Sequence, residues 1–202
     1  MIQDFSQPVE SKARLANIDI IRGVALLGIL VMNVQAFSMN FSTYMNPTVY
    51  GDLTGINYYV YFFSHLLADQ KFMSIFSMLF GAGIVLMAQN IEEKGGNAKK
   101  IHYKRMVILA AFGLAHAYLL WFGDILFPYA ISGMIIFLAR NKSPKFLLIT
   151  GVSLIALCSL MFLLTSFGLP YMTEHDLAEM MAMWSPSKEL IEQDLTANRA
   201  SW

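Results

Sequence analysis

Apolar residues fall along this chain in long blocks separated by short polar breaks. The longest block runs from Met106 to Arg140, 35 positions with basic residues at both ends and Gly123-Asp124 near the middle. A helical bilayer crossing takes about 20 residues, and about 17 at the short end. The block is therefore too long for one crossing and barely long enough for two. The pattern predicts a tight transmembrane hairpin, its turn around Trp121-Phe122-Gly123-Asp124 at or slightly below the lipid headgroups.

The remaining blocks follow the same rule. Residues 1–17, with Pro8 and mixed charges, read as a flexible arm, and a first span runs from Ile18 to Met39, capped by Asn17 or Asp19. Asn40 to Gly55 is a loop. Ile56 to Ala68 is aromatic and apolar but only about 13 residues long, too short to cross alone, and reads as an interfacial or re-entrant helix. Phe72 to Gln89 is the second span, and Asn90 to Arg105 a polar loop broken at Gly95-Gly96. The hairpin supplies spans three and four. Pro144 suits the first turn of the fifth, which runs from Phe146 to about Phe167. Residues 168–202 form a polar, acidic tail with a weakly amphipathic piece near Leu177 to Met183 and a further polar helix-like stretch. The fold class expected is all-α: a polytopic transmembrane bundle over residues 18–167, of five spans plus one short helix.

Composition agrees with this pattern. Charged residues make up 14% of the 202 residues, against roughly 25% in soluble domains, and apolar residues 56%. Fourteen basic and fourteen acidic side chains balance, which argues against a nucleic-acid partner. Cys158 is the only cysteine, so an intrachain disulfide and a thiolate metal cluster are both excluded. The polar start has no small-residue cleavage site after its apolar run, so the first apolar segment is expected to stay as a helix. With the amino end inside, Lys12, Arg14, Arg22, Lys94, Lys99, Lys100, Lys104, Arg105, Arg140, Lys142 and Lys145 fall on the inner side. Only Lys71, Lys188 and Arg199 fall outside, a strong positive-inside bias. The expected location is an inner (cytoplasmic) membrane, multi-pass, with the amino end in and the carboxyl end out.

The candidate chemistry lies in the few polar groups at membrane depth. His116 stands about 16 Å in from the inner boundary if the helix starts at Arg105. Asp124 lies eight positions further, about 12 Å along a continued helix. Both can line one outer-facing cavity. A histidine there relays a proton or acts as a general base, with the aspartate orienting it or holding a cation; alternatively the histidine is a packed, neutral one and the aspartate caps span four. His65, Asp69 and Lys71 read either as an outer polar pocket or as the wet face of an interfacial helix. Asp19 and Arg22, one turn apart, either anchor the first span or make an anion-binding corner for a phosphate-bearing donor. Asn33 is expected to seek an interhelical hydrogen bond. Ser77, Gly81 and Gly83 present a small-residue face for helix packing. His102, in the basic loop, is given no role. No pair of histidines and carboxylates has metal-ligand spacing within one element, so no metal is expected.

Three motifs then carry a resemblance. Leu15 to Leu30 with Met32-Asn33, Lys71-Phe72 with Phe76 to Gly83, and Gly113-Leu114-Ala115-His116 running on to Leu120 to Leu126 resemble, in order, the YeiB-like bacterial membrane proteins (the DUF418 group). The resemblance implies a chain of about twice this length, of which this is the amino-terminal half. It also implies a distant likeness to membrane acyltransferases, which pass an acyl group from a coenzyme A thioester to a hydroxyl or amine. That likeness casts His116 as base and Asp19-Arg22 as part of the inner, acyl-CoA donor side. The partners expected are the lipid bilayer and either further copies of the chain or a missing carboxyl-terminal half. Three functions fit: an acyltransferase or a remnant of one, a transporter or channel component, and a non-catalytic membrane subunit.

Overall fold

The computed structural model describes residues 16–40 and 42–200, and every regular element among them is helical. In chain order these are α1 (Ala16–Ser38), α2 (Ser42–Met45), α3 (Gly55–Leu67), α4 (Lys71–Glu93), α5 (Ala98–Leu119), α6 (Leu126–Ala139), α7 (Pro144–Gly168), α8 (Glu174–Trp184) and α9 (Lys188–Ala200). A 3₁₀ turn, Leu169–Tyr171, joins α7 to α8. The chain divides into two compact units. One takes the start of α1 through Arg22 with Ile75–Gly151, the other Gly23–Ser74 with the chain from Val152 onward.

In the first unit Ile84, Ala88 and Ile91 share one face of α4 at helical spacing and pack with Ala98 of α5 and Phe137 of α6. Phe80, Met87, Ile101 and Tyr103 close around them. The α4–α5 connection is far shorter than the Asn90–Arg105 loop expected from polarity. Lys, Arg, Glu and Gln are good helix formers, and only the two glycines break the helix. Gly95, at φ +76°, sits in the left-handed region that ends α4; its N–H donates to Glu92 O at 2.9 Å and that of Gly96 to Ile91 O at 2.8 Å. Asn97 then caps α5, its side chain accepting from the Lys100 N–H at 2.9 Å.

In the second unit Gly28 of α1 lies against the ring of Phe72, where a β-carbon would overlap the ring atoms. Ala25, Met32 and Ala68 are buried. The break between α3 and α4 is made by Gln70, held at φ 59°, a left-handed conformation costly for any residue with a side chain. The expected loop after α1 contains the helical turn α2, whose Thr43 is buried and donates its hydroxyl to Asn40 O at 2.6 Å. The polar tail is docked on this segment. Asn40 Nδ2 donates to Asp194 Oδ2 at 2.9 Å, and Asn46 Nδ2 to Trp184 O at 3.1 Å.

Among the described residues three stretches are long and apolar enough to cross a bilayer: Asn17–Ser38, the run Gly55–Glu93 through α3 and α4, and Pro144–Tyr171. α7 buries no residue, and Leu148, Ile155 and Phe162 are each more than two-thirds exposed, a surface that suits hydrocarbon. Of the five spans expected, these three have full length and the two legs of the hairpin do not. α6 has 14 residues and rises about 21 Å, short of a core about 30 Å thick. α5 has 22, but its first half carries Lys99, Lys100, Lys104 and Arg105. The short helix expected at Ile56–Ala68 is present as α3. The cap assigned to Asn17 or Asp19 is not, because α1 is already helical at Ala16 and both residues lie inside it. Of the flexible arm assigned to residues 1–17, residues 1–15 lie outside the described residues.

The small-residue face of α4 is used differently from expectation. A β-carbon at Gly81 would meet nothing within 4 Å, whereas one at Gly83 would lie 3.2 Å from Arg22 Nη2. Gly81→Ala is therefore expected to leave stability in detergent within about 0.5 kcal/mol of the parent. A clear loss in thermal unfolding would show that another helix packs there.

Candidate functional site

The site is built at the α5–α6 turn. Ala98, His102, Met106 and Gly113 form the buried stripe of α5 and face α6 along its length. His102 Nε2 lies 3.1 Å from Gly133 O, a bond in which the ring donates, and Tyr103 donates its hydroxyl to Met134 O at 3.1 Å. Gly133 has no side chain to hold off the sulfur of Met106 or the ring of Phe80. One level further, Gly113 lets the backbone of Phe127 approach so closely that a β-carbon would stand 2.8 Å from Phe127 Cα. From α4, Ser77 Oγ and Tyr129 OH hydrogen-bond at 2.6 Å while Phe76 and Phe80 pack their edges against Tyr129. The first turn of α6 is thus fixed against α5 just below His116.

α5 ends because the carbonyl of His116 accepts from both Leu120 and Trp121, at 3.0 and 2.9 Å. The chain reverses over Trp121, whose ring leaves no room for a β-carbon at Gly123. The reversal carries Asp124 back to His116. His116 Nδ1 donates to Asp124 Oδ1 at 2.9 Å, and the other carboxylate oxygen, Oδ2, accepts from the Phe127 N–H at 2.8 Å. Eight residues that would separate the two groups along a straight helix bring them together across a turn. The same aspartate thus accepts from the first turn of α6 with one oxygen and from the histidine ring with the other. Asp124 is almost completely buried, while His116 keeps a third of its side chain exposed.

The other predicted residues separate into smaller groups. Asp19 pairs with Arg22 at 3.5 Å, and Arg22 Nη2 also donates to Leu79 O at 3.4 Å, beside Gly83. Arg22 is thus partly drawn into the helix packing. In the second unit Asp69 accepts from Tyr44 OH at 3.0 Å rather than from His65. His65 Nδ1 bonds back to Tyr61 O at 2.9 Å within α3, its ring lies 4.0 Å from that of Tyr61, and its buried Nε2 has no partner among the described residues. Lys71 Nζ reaches Asp69 O at 3.4 Å. Burial, with the bond to Asp69 and its charge, pushes the Tyr44 phenol up to about 12. Asn33 makes no hydrogen bond among the described residues. Instead it lines a cavity of about 20 Å³ with Tyr44, Gln70 and Met73, room for one water.

Sequence reasoning missed Tyr44, Tyr129, His102 and the Glu92–Arg140 pair (3.1 Å). His102 was legible, being four residues before Met106 and eleven before Gly113 on the buried stripe. Tyr44 was not, because its loop shows no periodicity.

Helices of this length and composition, with a polar pair held at the turn of an apolar hairpin, define a helical membrane protein. The chain belongs to the YeiB-like family. It is 36% identical over 172 residues to "Uncharacterized protein YxaH" of Bacillus subtilis (strain 168), covering 80% of this chain and 41% of that protein. It is 34% identical over 143 residues to "Uncharacterized protein YeiB" of Escherichia coli (strain K12), covering 70% and 35%. A third relative, "Uncharacterized 39.9 kDa protein in amylase 3'region" of Bacillus acidopullulyticus, is 28% identical over 153 residues, covering 76% and 42%. The chain thus spans about two fifths of the length of these relatives. No protein-family profile and no solved structure matches it.

Proposed function

We propose that the α5–α6 hairpin carries the proton-transfer site of a membrane acyltransferase, in a chain that crosses the inner membrane five times from an inner amino end. The observation that carries this reading is the His116–Asp124 bond at 2.9 Å, with Asp124 held in turn by the Phe127 amide. A carboxylate accepting from Nδ1–H leaves Nε2 as the basic nitrogen, fixed in direction. In the reaction, His116 Nε2 takes the proton of an acceptor hydroxyl or amine as that atom attacks the carbonyl of an acyl-coenzyme A. The carbon–sulfur bond breaks, the acyl group passes to the acceptor, and the departing sulfur recovers the proton from His116. Asp124 balances the transient imidazolium, and Asp19 with Arg22 stands on the donor side.

The test uses the full chain reconstituted in bilayers and supplied with acyl-labelled acetyl-coenzyme A and a membrane lipid extract. Label is expected in a covalent product with the wild-type protein and not with His116→Gln. Solute or proton flux that depends on His116, without any labelled product, would assign the pair to a transport path instead.

A further inference from the structure

At the end of the hairpin away from His116, a groove of about 400 Å³ opens between the α4–α5 turn and the carboxyl end of α6, lined by Glu92, Gly95 to Lys99 and Arg140. We propose that this groove binds a phosphate group. Its centre is the Arg140 guanidinium, which sits over the Phe137 ring, Cζ 4.1 Å from the centroid. Phe137 is buried and stacks in turn on His102, ring centroids 4.3 Å apart and planes within 9°. The cation therefore rests on a rigid platform.

Its hydrogen bonding is incomplete. Nη1 donates to Phe137 O at 3.3 Å and Nη2 to a single Glu92 oxygen at 3.1 Å, while the buried Nε–H has no partner among the described residues. A guanidinium prefers two parallel bonds to one anion, and a single bond to a half-exposed carboxylate is a weak substitute. The opposite wall supplies the other donors. Asn97 satisfies the Lys100 amide, and the amides of Ala98 and Lys99, first in α5, have no acceptor in their own helix. Gly95 and Gly96 keep this wall free of side chains, and a β-carbon on Gly95 would meet nothing within 4 Å. Lys99 is exposed beside them.

Donors converging from a planar fork, an ammonium and backbone amides match a tetrahedral oxyanion better than a carboxylate. Glu92 is the internal competitor that a phosphate displaces. The phosphate can belong to a phospholipid headgroup or to a soluble molecule, and the two share this chemistry. The inference stands whether or not His116 is catalytic, because binding alone reports it.

The full chain in phosphatidylcholine nanodiscs is titrated with inorganic pyrophosphate by calorimetry, and again in nanodiscs containing phosphatidylglycerol. Saturable binding is expected, weakened about tenfold in Arg140→Gln, as for loss of a charged hydrogen bond, and weakened also in Lys99→Gln. Glu92→Gln is expected to tighten it, an effect a merely structural ion pair would not give. Suppression of binding by phosphatidylglycerol identifies the headgroup as the occupant; unchanged binding identifies a soluble phosphate. Lys99 and Glu92 are exposed, so their variants report even where Arg140→Gln fails to fold. No saturable binding in either membrane, or an affinity unmoved by both Lys99→Gln and Glu92→Gln, would overturn the proposal.

Discussion

His116→Gln is expected to lower acyl transfer by about 10²- to 10⁴-fold while the protein inserts and folds as before. Glutamine keeps a donor that reaches Asp124 and removes the basic nitrogen. The ring makes its one strong bond at the edge of the turn and is a third exposed, so little packing is lost. Asp124→Asn separates orientation from structure. Its amide oxygen can still accept from the Phe127 N–H, and its NH₂ would face Nδ1 as a donor. The imidazole must then present Nδ1 as acceptor and carry its proton on Nε2, the atom needed as base. Activity is expected to fall as it does in His116→Gln, with the hairpin still formed near neutral pH. Asp124→Ala should lose both activity and the α6 cap, the cap costing about 1 kcal/mol. The two measurements are product formation and the detergent-unfolding midpoint on the same preparations. Full activity in a well-folded His116→Gln protein would remove the histidine from the chemistry.

The hairpin could be read from sequence because its length was decisive, and because a histidine and an aspartate are conspicuous among apolar residues. Their contact could not. Helical spacing measures distance along an axis and is silent about where a chain turns back. The turn is set by Gly113, Gly123 and the bulk of Trp121, residues whose effect depends on what approaches them. The same limitation hid the register between α5 and α6: Gly133 marks it only once His102 and Met106 are seen opposite. Polarity misled in the other direction at Asn90 to Arg105, where charged residues were read as loop though they favour helix. Tail and loop in the second unit joined through Asn40, Asn46 and Asp194, polar residues with no periodic signature.

The largest structural effect is expected at a residue that touches no substrate. Gly113→Val should destabilise the hairpin by about 3 kcal/mol, the upper part of the usual range for forcing extra carbons into a packed site. The obstacle is the Phe127 backbone, only 2.8 Å at Cα from where the first added carbon would sit, and a main chain in the capped first turn of a helix cannot rotate aside as a side chain can. To admit valine, α6 must shift outward at its start. That start holds the Phe127 N–H which fixes Asp124, so the His116–Asp124 bond should lengthen with it. Activity is then expected to fall about as far as in His116→Gln, though both reacting side chains remain. Gly151→Ala is the control, since a β-carbon there meets nothing within 4 Å. Unfolding midpoints and Trp121 fluorescence in detergent, read in a background where Trp184 and Trp202 are replaced by Phe, distinguish the cases: Gly113→Val should lower the first and shift the second, with Gly151→Ala unchanged in both. If Gly113→Val kept the parent's stability and emission, α6 would not pack on α5 as closely as Gly113 requires, and the geometry assigned to Asp124 would fall with it.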